Sequence, residues 1–256
     1  MLVDYHVHVL AHGEYEYTEE RIRQFLDQAR RQGITEIGLA EHEEWGRRIR
    51  PEVLEVVRMN ASGICVRQGM EIDYNFEREG EIRGIIKKWD LDFVIGSVHF
   101  IDGWGFDHPD SRSEFDGADI DELYERYFRL VAQAVRSGLF DVIGHLDLIK
   151  IWGHRPARKR DFEYVKPFLV QMKSSGVVVE INTAGLRKPV NEIYPSPSLL
   201  KALFEADIPI TFGSDAHEPG DVGRDLAKAR ELARQAGYRR CMGFNRGQRY
   251  EVPITD

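Results

Sequence analysis

Short apolar runs alternate along the chain with longer stretches in which apolar positions recur at helical spacing. The runs that predict strands are "MLVDYH" (1–6), "TEIGLAEH" (35–42), "GICVRQGMEID" (63–73), "LDFVIGSVHF" (91–100), "FDVIGHL" (140–146), "GVVVEINT" (176–183) and "IPITFGSD" (208–215). Seven such runs separated by helix-length segments predict a parallel β/α architecture. The first intervening segment, "TEERIRQFLDQARRQ" (18–32), opens with a Thr cap and an acidic first turn and stops at Gly33. Further helices are expected over 51–59, 78–88, 119–137, 160–175, 196–206 and 222–236. No repeat, low-complexity tract or linker-like shift in composition divides the chain, so residues 1–256 are expected to form one domain.

The polar residues gain meaning from where they fall on this pattern. His6 and His8 close the first run, Glu41 and His42 the second, Glu71 and Asp73 the third. His99 follows on the fourth, His145 on the fifth, Asn182 on the sixth, and Asp215 with His217 on the seventh. In β/α barrels the loops at the C-terminal ends of the strands build the active site, so these residues should converge on one pocket. Of nine histidines, His12 included, seven lie at or just beyond these strand ends. A lone histidine there would usually be a hydrogen-bonded core or surface residue. So many buried imidazoles and carboxylates facing one another would be costly without a cation. Imidazoles mixed with carboxylates and no thiolate suit Zn, Mn or Fe, and the donors are too many for one tetrahedral ion. Two or three divalent ions bridged by Glu71 or Asp215 are expected, an arrangement associated with phosphate-ester hydrolysis.

Charge and cysteine content narrow the remaining choices. The formal charge of -8 argues against general nucleic-acid affinity, which needs a basic surface. It leaves room for a small anion held by a local basic patch. No apolar run approaches the roughly 18 residues of a membrane span. Cys65 and Cys241 stand far apart, which fits a reducing cytoplasm without a disulfide framework. The opening segment, "DYHVHVLAHGEY" (4–15), has the pattern of neither a tag nor a secretory leader, so its histidines are expected to belong to the fold.

Seven motifs, in order, carry a resemblance: "DYHVHV" (4–9), "AEHEE" (40–44), "GMEID" (69–73), "GSVHFIDGWGFDHP" (96–109), "GHLDLIK" (144–150), "EINTAGLRKPVNEIYPSP" (180–197) and "GSDAHEPGDVG" (213–223). Together they resemble the PHP (polymerase and histidinol phosphatase) metal-dependent phosphoesterases. The resemblance implies a distorted seven-stranded β/α barrel of the TIM-like, PHP type. It implies a first ion held by His6, His8, Glu71 and Asp215, a second by Glu71, His99 and His145, and a third by His12, His42 and His217. Glu14 is a nearby rival to His12. His6, His8, Glu71, Asp215 and His217 would then carry the catalysis. The segments at 99–109 and 181–197 are most similar to the histidinol-phosphate phosphatase branch, which implies hydrolysis of L-histidinol phosphate in histidine biosynthesis.

For the substrate, Arg187 and Lys188 follow the sixth strand on the ligand face, and "HRPARKR" (154–160) adds cations after the fifth. Arginine's planar fork matches phosphate oxygens, so Arg187 and Arg155 are the candidate phosphate contacts, while Arg158 and Lys159 equally suit a solvated helix start. The loop with Trp104, Phe106, Asp107 and His108 could offer a stacking face and a carboxylate, or simply pack on the barrel rim. A PHP phosphoesterase for another small phosphate ester, or a non-catalytic regulatory module, are the alternative readings.

Overall fold

The computed structural model describes residues 1–254. The strands are β1 (Val3–Val7), β2 (Glu36–His42), β3 (Cys65–Asp73), β4 (Phe93–Ser97), β5 (Phe100–Ile101), β6 (Trp104–Gly105), β7 (Val142–Ile143), β8 (Val178–Asn182), β9 (Ile210–Gly213), β10 (Arg240–Asn245) and β11 (Gln248–Pro253). Seven of them pair in parallel in the order β1-β2-β3-β4-β7-β8-β9. Each of the seven lies on one of the runs expected to be strands. The edges nearly meet: His8 N–H donates to Ala216 O at 2.8 Å, and Ala216 N–H donates to His6 O at 3.2 Å. The architecture is therefore a seven-stranded β/α barrel, closed at its seam by a bridge rather than a full ladder.

The seam has a second tie in the sequence itself. Asp4 is fully buried on β1, and its carboxylate accepts from Ser214 N–H at 2.8 Å and Gly223 N–H at 2.9 Å. These bonds satisfy an otherwise costly buried charge and pin the last loop against the first strand. They also explain why the last long helix starts at Leu226 rather than at 222. Gly223 and Asp225 adopt positive φ, +71° and +60°, in the turn that brings the Gly223 N–H to Asp4.

The barrel interior has an apolar floor below a polar mouth. Phe93 fills the floor between β2 and β3, which is possible because Gly38 and Gly69 lack the Cβ that would overlap its ring. Tyr5 and Phe244 pack edge-on and beside it, with ring centroids 5.0 and 5.5 Å from Phe93. Phe244 belongs to the antiparallel hairpin β10–β11, which closes the end of the barrel away from the site. This hairpin was not anticipated from the sequence, because "YRRCMGFNRGQRYEVP" (238–253) is too charged to read as a strand pair.

Apart from the late start at Leu226, the helices follow the expected punctuation with one exception. Thr18 caps the helix Glu19–Arg31 by accepting from Arg21 N–H, and Asp119 caps Ile120–Ser137 by accepting from Glu122 N–H. The stretch expected as one helix over 160–175 is broken into Asp161–Val165, a 3-10 turn at Lys166–Phe168, and Leu169–Ser175. Pro167 sits at the break, since it has no N–H and its ring clashes with the preceding turn. Among the described residues, no helix is long and apolar enough to cross a membrane.

Candidate metal centre

The strand ends converge as the spacing predicts, and Glu71 at the end of β3 is their common point. One Glu71 oxygen lies 3.3 Å from His6 Nε2, 3.5 Å from His8 Nε2 and 3.0 Å from His42 Nδ1. The other lies 3.2 Å from His145 Nε2 and 3.7 Å from His99 Nε2. Asp215 faces the same space, 3.5 Å from His8 Nε2 and 3.9 Å from His6 Nε2. Three triplets have donor atoms within 4.8 Å of one another: His6, His8 and Glu71; Glu71, His99 and His145; and His8, His42 and His217. The second is the set the resemblance implies for the second ion, and the first holds three of the four residues implied for the first ion, Asp215 being the fourth. In the third, His8 stands where His12 was expected. The His12 ring is largely exposed and stacks on His217, centroids 4.4 Å apart, while the His12 backbone N–H donates to Glu14 at 2.5 Å.

Carboxylates behind the donors fix which ring nitrogen faces inward. Glu180 holds His6 Nδ1 at 2.7 Å and also accepts from the His145 backbone N–H at 2.8 Å. Asp73 holds His99 Nδ1. In both rings this leaves the Nε2 lone pair aimed at the cluster, the arrangement that orients metal-ligating histidines. Asn182 donates to Glu180 at 3.0 Å and to Asp215 at 3.3 Å, and Ser97 Oγ–H donates to Glu71 at 2.5 Å. Glu180 and Ser97 were not singled out from the sequence. Glu180 is recoverable, because it lies two residues before Asn182 and so shares its face of the strand.

The electrostatics are those of a cation site. Burial works against ionisation of Glu71 and Asp215, but the surrounding imidazoles hold both carboxyls well below their usual range. His6 is pushed well up despite its burial, by Glu180, Glu71 and Asp215. Burial and neighbouring imidazoles push His8 well down, and burial takes His217 down to about 4. His6 Nε2, both nitrogens of His8, His42 Nε2, His145 Nδ1 and His217 Nε2 are buried with no hydrogen-bond partner. Buried polar groups in folded proteins are rarely left this way, and the orphaned Nε2 atoms of His6 and His8 both face Glu71 and Asp215, an arrangement that fits divalent ions.

The other expected residues divide between the site and the scaffold. Arg187 lines the 370 Å³ cavity that His12, His42, Glu71, His99, His145, Asp215 and His217 also line. Its Nη2 donates to Ser214 O at 2.6 Å, and its Nη1 is buried without a partner. Lys188 lies at the cavity mouth. Arg155 does not join them: its guanidinium is committed to Glu192 at 2.5 Å and Asp161 at 3.7 Å, an acidic pair that outcompetes the cavity for it. Arg158 and Lys159 pair with Asp119 and Glu125 on the surface. In the loop after β6, Phe106 is core and His108 caps a 3-10 turn, whereas Asp107 lines the cavity, where its charge acts on His99. Glu41 is no ligand. It accepts from Val9 and Leu10 N–H at 2.7 and 3.1 Å, fixing the first loop, and burial raises its pKa to about 7.

Residues 4–184 match the family model of the PHP domain. The chain belongs to the PHP domain family. A Deinococcus radiodurans protein named "Probable histidinol-phosphatase" is 43% identical over 188 residues, which cover 73% of this PHP chain and 71% of that protein. The histidinol-phosphatase of Lactococcus lactis is 26% identical over 259 residues, covering 95% and 94%. The solved structure of histidinol phosphate phosphatase from Lactococcus lactis, complexed with zinc, L-histidinol and phosphate, superposes with a TM-score of 0.79. That superposition covers 97% and 98% of the two chains at 22% identity, and shares the PHP barrel.

Proposed function

We propose that this chain is a metal-dependent phosphatase, one PHP domain, that hydrolyses L-histidinol phosphate to L-histidinol and phosphate in histidine biosynthesis. The observation that carries the reading is one cavity lined by His42, Glu71, His99, His145, Asp215 and His217, with His6 and His8 within reach of Glu71, and by Asp107 and an arginine, Arg187, whose Nη1 is buried without a partner. His6, His8, Glu71 and Asp215 would hold one ion, and Glu71, His99 and His145 a second. His42 and His217 would hold a third, with His8 or His12 completing it. Zinc is the first choice, because the solved Lactococcus lactis relative carries it; manganese and iron suit the same donors. When bound, such ions supply a nucleophilic hydroxide at neutral pH and offset the charge that develops on the phosphoryl oxygens.

The protein's own groups do the rest. Arg187 presents Nη1 to the phosphoryl oxygens while its Nη2 is braced on the Ser214 carbonyl, so the fork is fixed before substrate arrives. Asp107 accepts from the cationic end of the substrate. Leu148 and Ile151 give the imidazole an apolar wall in the same cavity. The non-catalytic alternative expects lost ligand positions, and none of the expected donors is missing from the sequence. The test is stripping with a chelator followed by reconstitution with Zn, Mn or Fe singly. Phosphate release from L-histidinol phosphate should vanish on stripping and return with metal; release that survives complete stripping contradicts the reading.

A further inference from the structure

A second buried donor without a partner belongs to a residue that lines the same cavity as Arg187. The Tyr194 side chain is 1% exposed, lines the cavity, and its hydroxyl has no hydrogen-bond partner among the described residues. Folded proteins rarely leave a buried hydroxyl unsatisfied, and here the arrangement is held firmly in place. Tyr194 pairs with Asn182 through both backbone bonds, Asn182 N–H to Tyr194 O at 2.6 Å and Tyr194 N–H to Asn182 O at 3.0 Å. Asn182 is the residue that braces Glu180 and Asp215, so the phenol is registered to the donor cluster through its backbone. Gly185 leaves room for the ring: a Cβ there would lie 2.9 and 3.0 Å from Tyr194 ring carbons. On another side, Lys150 Nζ sits 5.2 Å from the ring centroid, locked by Asp147 and Glu192 at 2.8 Å each. None of these groups reaches the hydroxyl.

We infer that the Tyr194 hydroxyl donates a hydrogen bond to a phosphoryl oxygen of the bound phosphate ester, working with Arg187 Nη1 as a pair of donors on the wall bearing β8. The inference rests on the phosphatase reading above and adds a substrate-contacting residue to it. A phenol suits this place. It is a donor that carries no charge, so it adds a bond without competing with the cations that the carboxylates already balance. Bonds to charged acceptors are the stronger kind, which makes the contact worth a measurable share of phosphate affinity.

Tyr194→Phe removes only the hydroxyl and keeps the ring that packs against Gly185. Zinc-loaded wild type and variant are compared by equilibrium dialysis with inorganic phosphate and, separately, with L-histidinol, alongside metal content, Tm and steady-state phosphate release. The expected result is inorganic phosphate bound about 10–100-fold more weakly by the variant. L-Histidinol affinity, metal content and Tm should stay as in wild type. Unchanged phosphate affinity overturns the inference, as does a loss confined to L-histidinol, or a wild type that binds no phosphate at all. Wild-type turnover of L-histidinol phosphate reports on the phosphatase reading separately, since the dialysis comparison holds for any phosphate ester the enzyme uses.

Discussion

Glu71 touches more of the cluster than any other side chain, with one oxygen toward His6, His8 and His42 and the other toward His145 and His99. Glu71→Gln keeps its volume and removes the charge that offsets repulsion between adjacent ions. The variant should lose about two equivalents of metal and at least about 100-fold in turnover. Unchanged stoichiometry by elemental analysis would return Glu71 to a structural role. Glu180 acts one layer further out, and Glu180→Gln should weaken metal binding about 10–100-fold while the fold persists, as a metal-binding titration would read. The convergence of these side chains was legible in the sequence because imidazoles and carboxylates placed at successive strand ends of a barrel share one mouth. Arg155 was misplaced for a related reason: charge alone does not say which acidic partner, here Glu192, lies nearer.

Loops carry the donors that the strands do not, and their geometry depends on groups the periodicity hides. Arg21, on the first helix, donates to Val9 O at 3.3 Å, to His217 O at 3.2 Å and to Glu218 at 3.1 Å, with Tyr15 stacked 3.7 Å from its guanidinium carbon. It thereby ties the first loop to the last, the two segments that supply His8, His12 and His217. Arg21→Met preserves the stem but removes the bonds. We expect about a 10-fold loss of affinity for the ion at His42 and His217, with the other two retained, in a stepwise zinc titration. Identical titrations would show that the loops hold themselves. The Thr18 cap and all seven barrel strands were readable from local signals, whereas the last helix starts four residues later than its leading Asp suggests. The break at Pro167 and the closing hairpin were not: the first needed a proline weighed against a strong helical pattern, the second a strand pair whose outer faces are charged.

Seen whole, the molecule is a barrel with a Phe93 floor, a seam tied by Asp4, and a mouth lined with buried titratable groups. Metal should therefore support the fold as well as the reaction. At free zinc about 100-fold above Kd, one site contributes about 2.7 kcal/mol. For a chain of this size that corresponds to about 5–10 °C in Tm. Chelation should lower the calorimetric Tm by at least that much, and re-addition of zinc should restore it; an unchanged Tm would mean that the orphaned imidazoles are stable without a cation. The substrate is the central claim, and a comparison of kcat/KM across phosphate monoesters tests it most directly. Zinc-loaded protein is assayed with L-histidinol phosphate, a nucleoside 5'-phosphate and a sugar phosphate under one condition. Preference for L-histidinol phosphate by about 100-fold or more is predicted, because only that substrate brings a cation to Asp107 and an imidazole to Leu148 and Ile151. Equal or greater kcat/KM for either of the others would contradict the account.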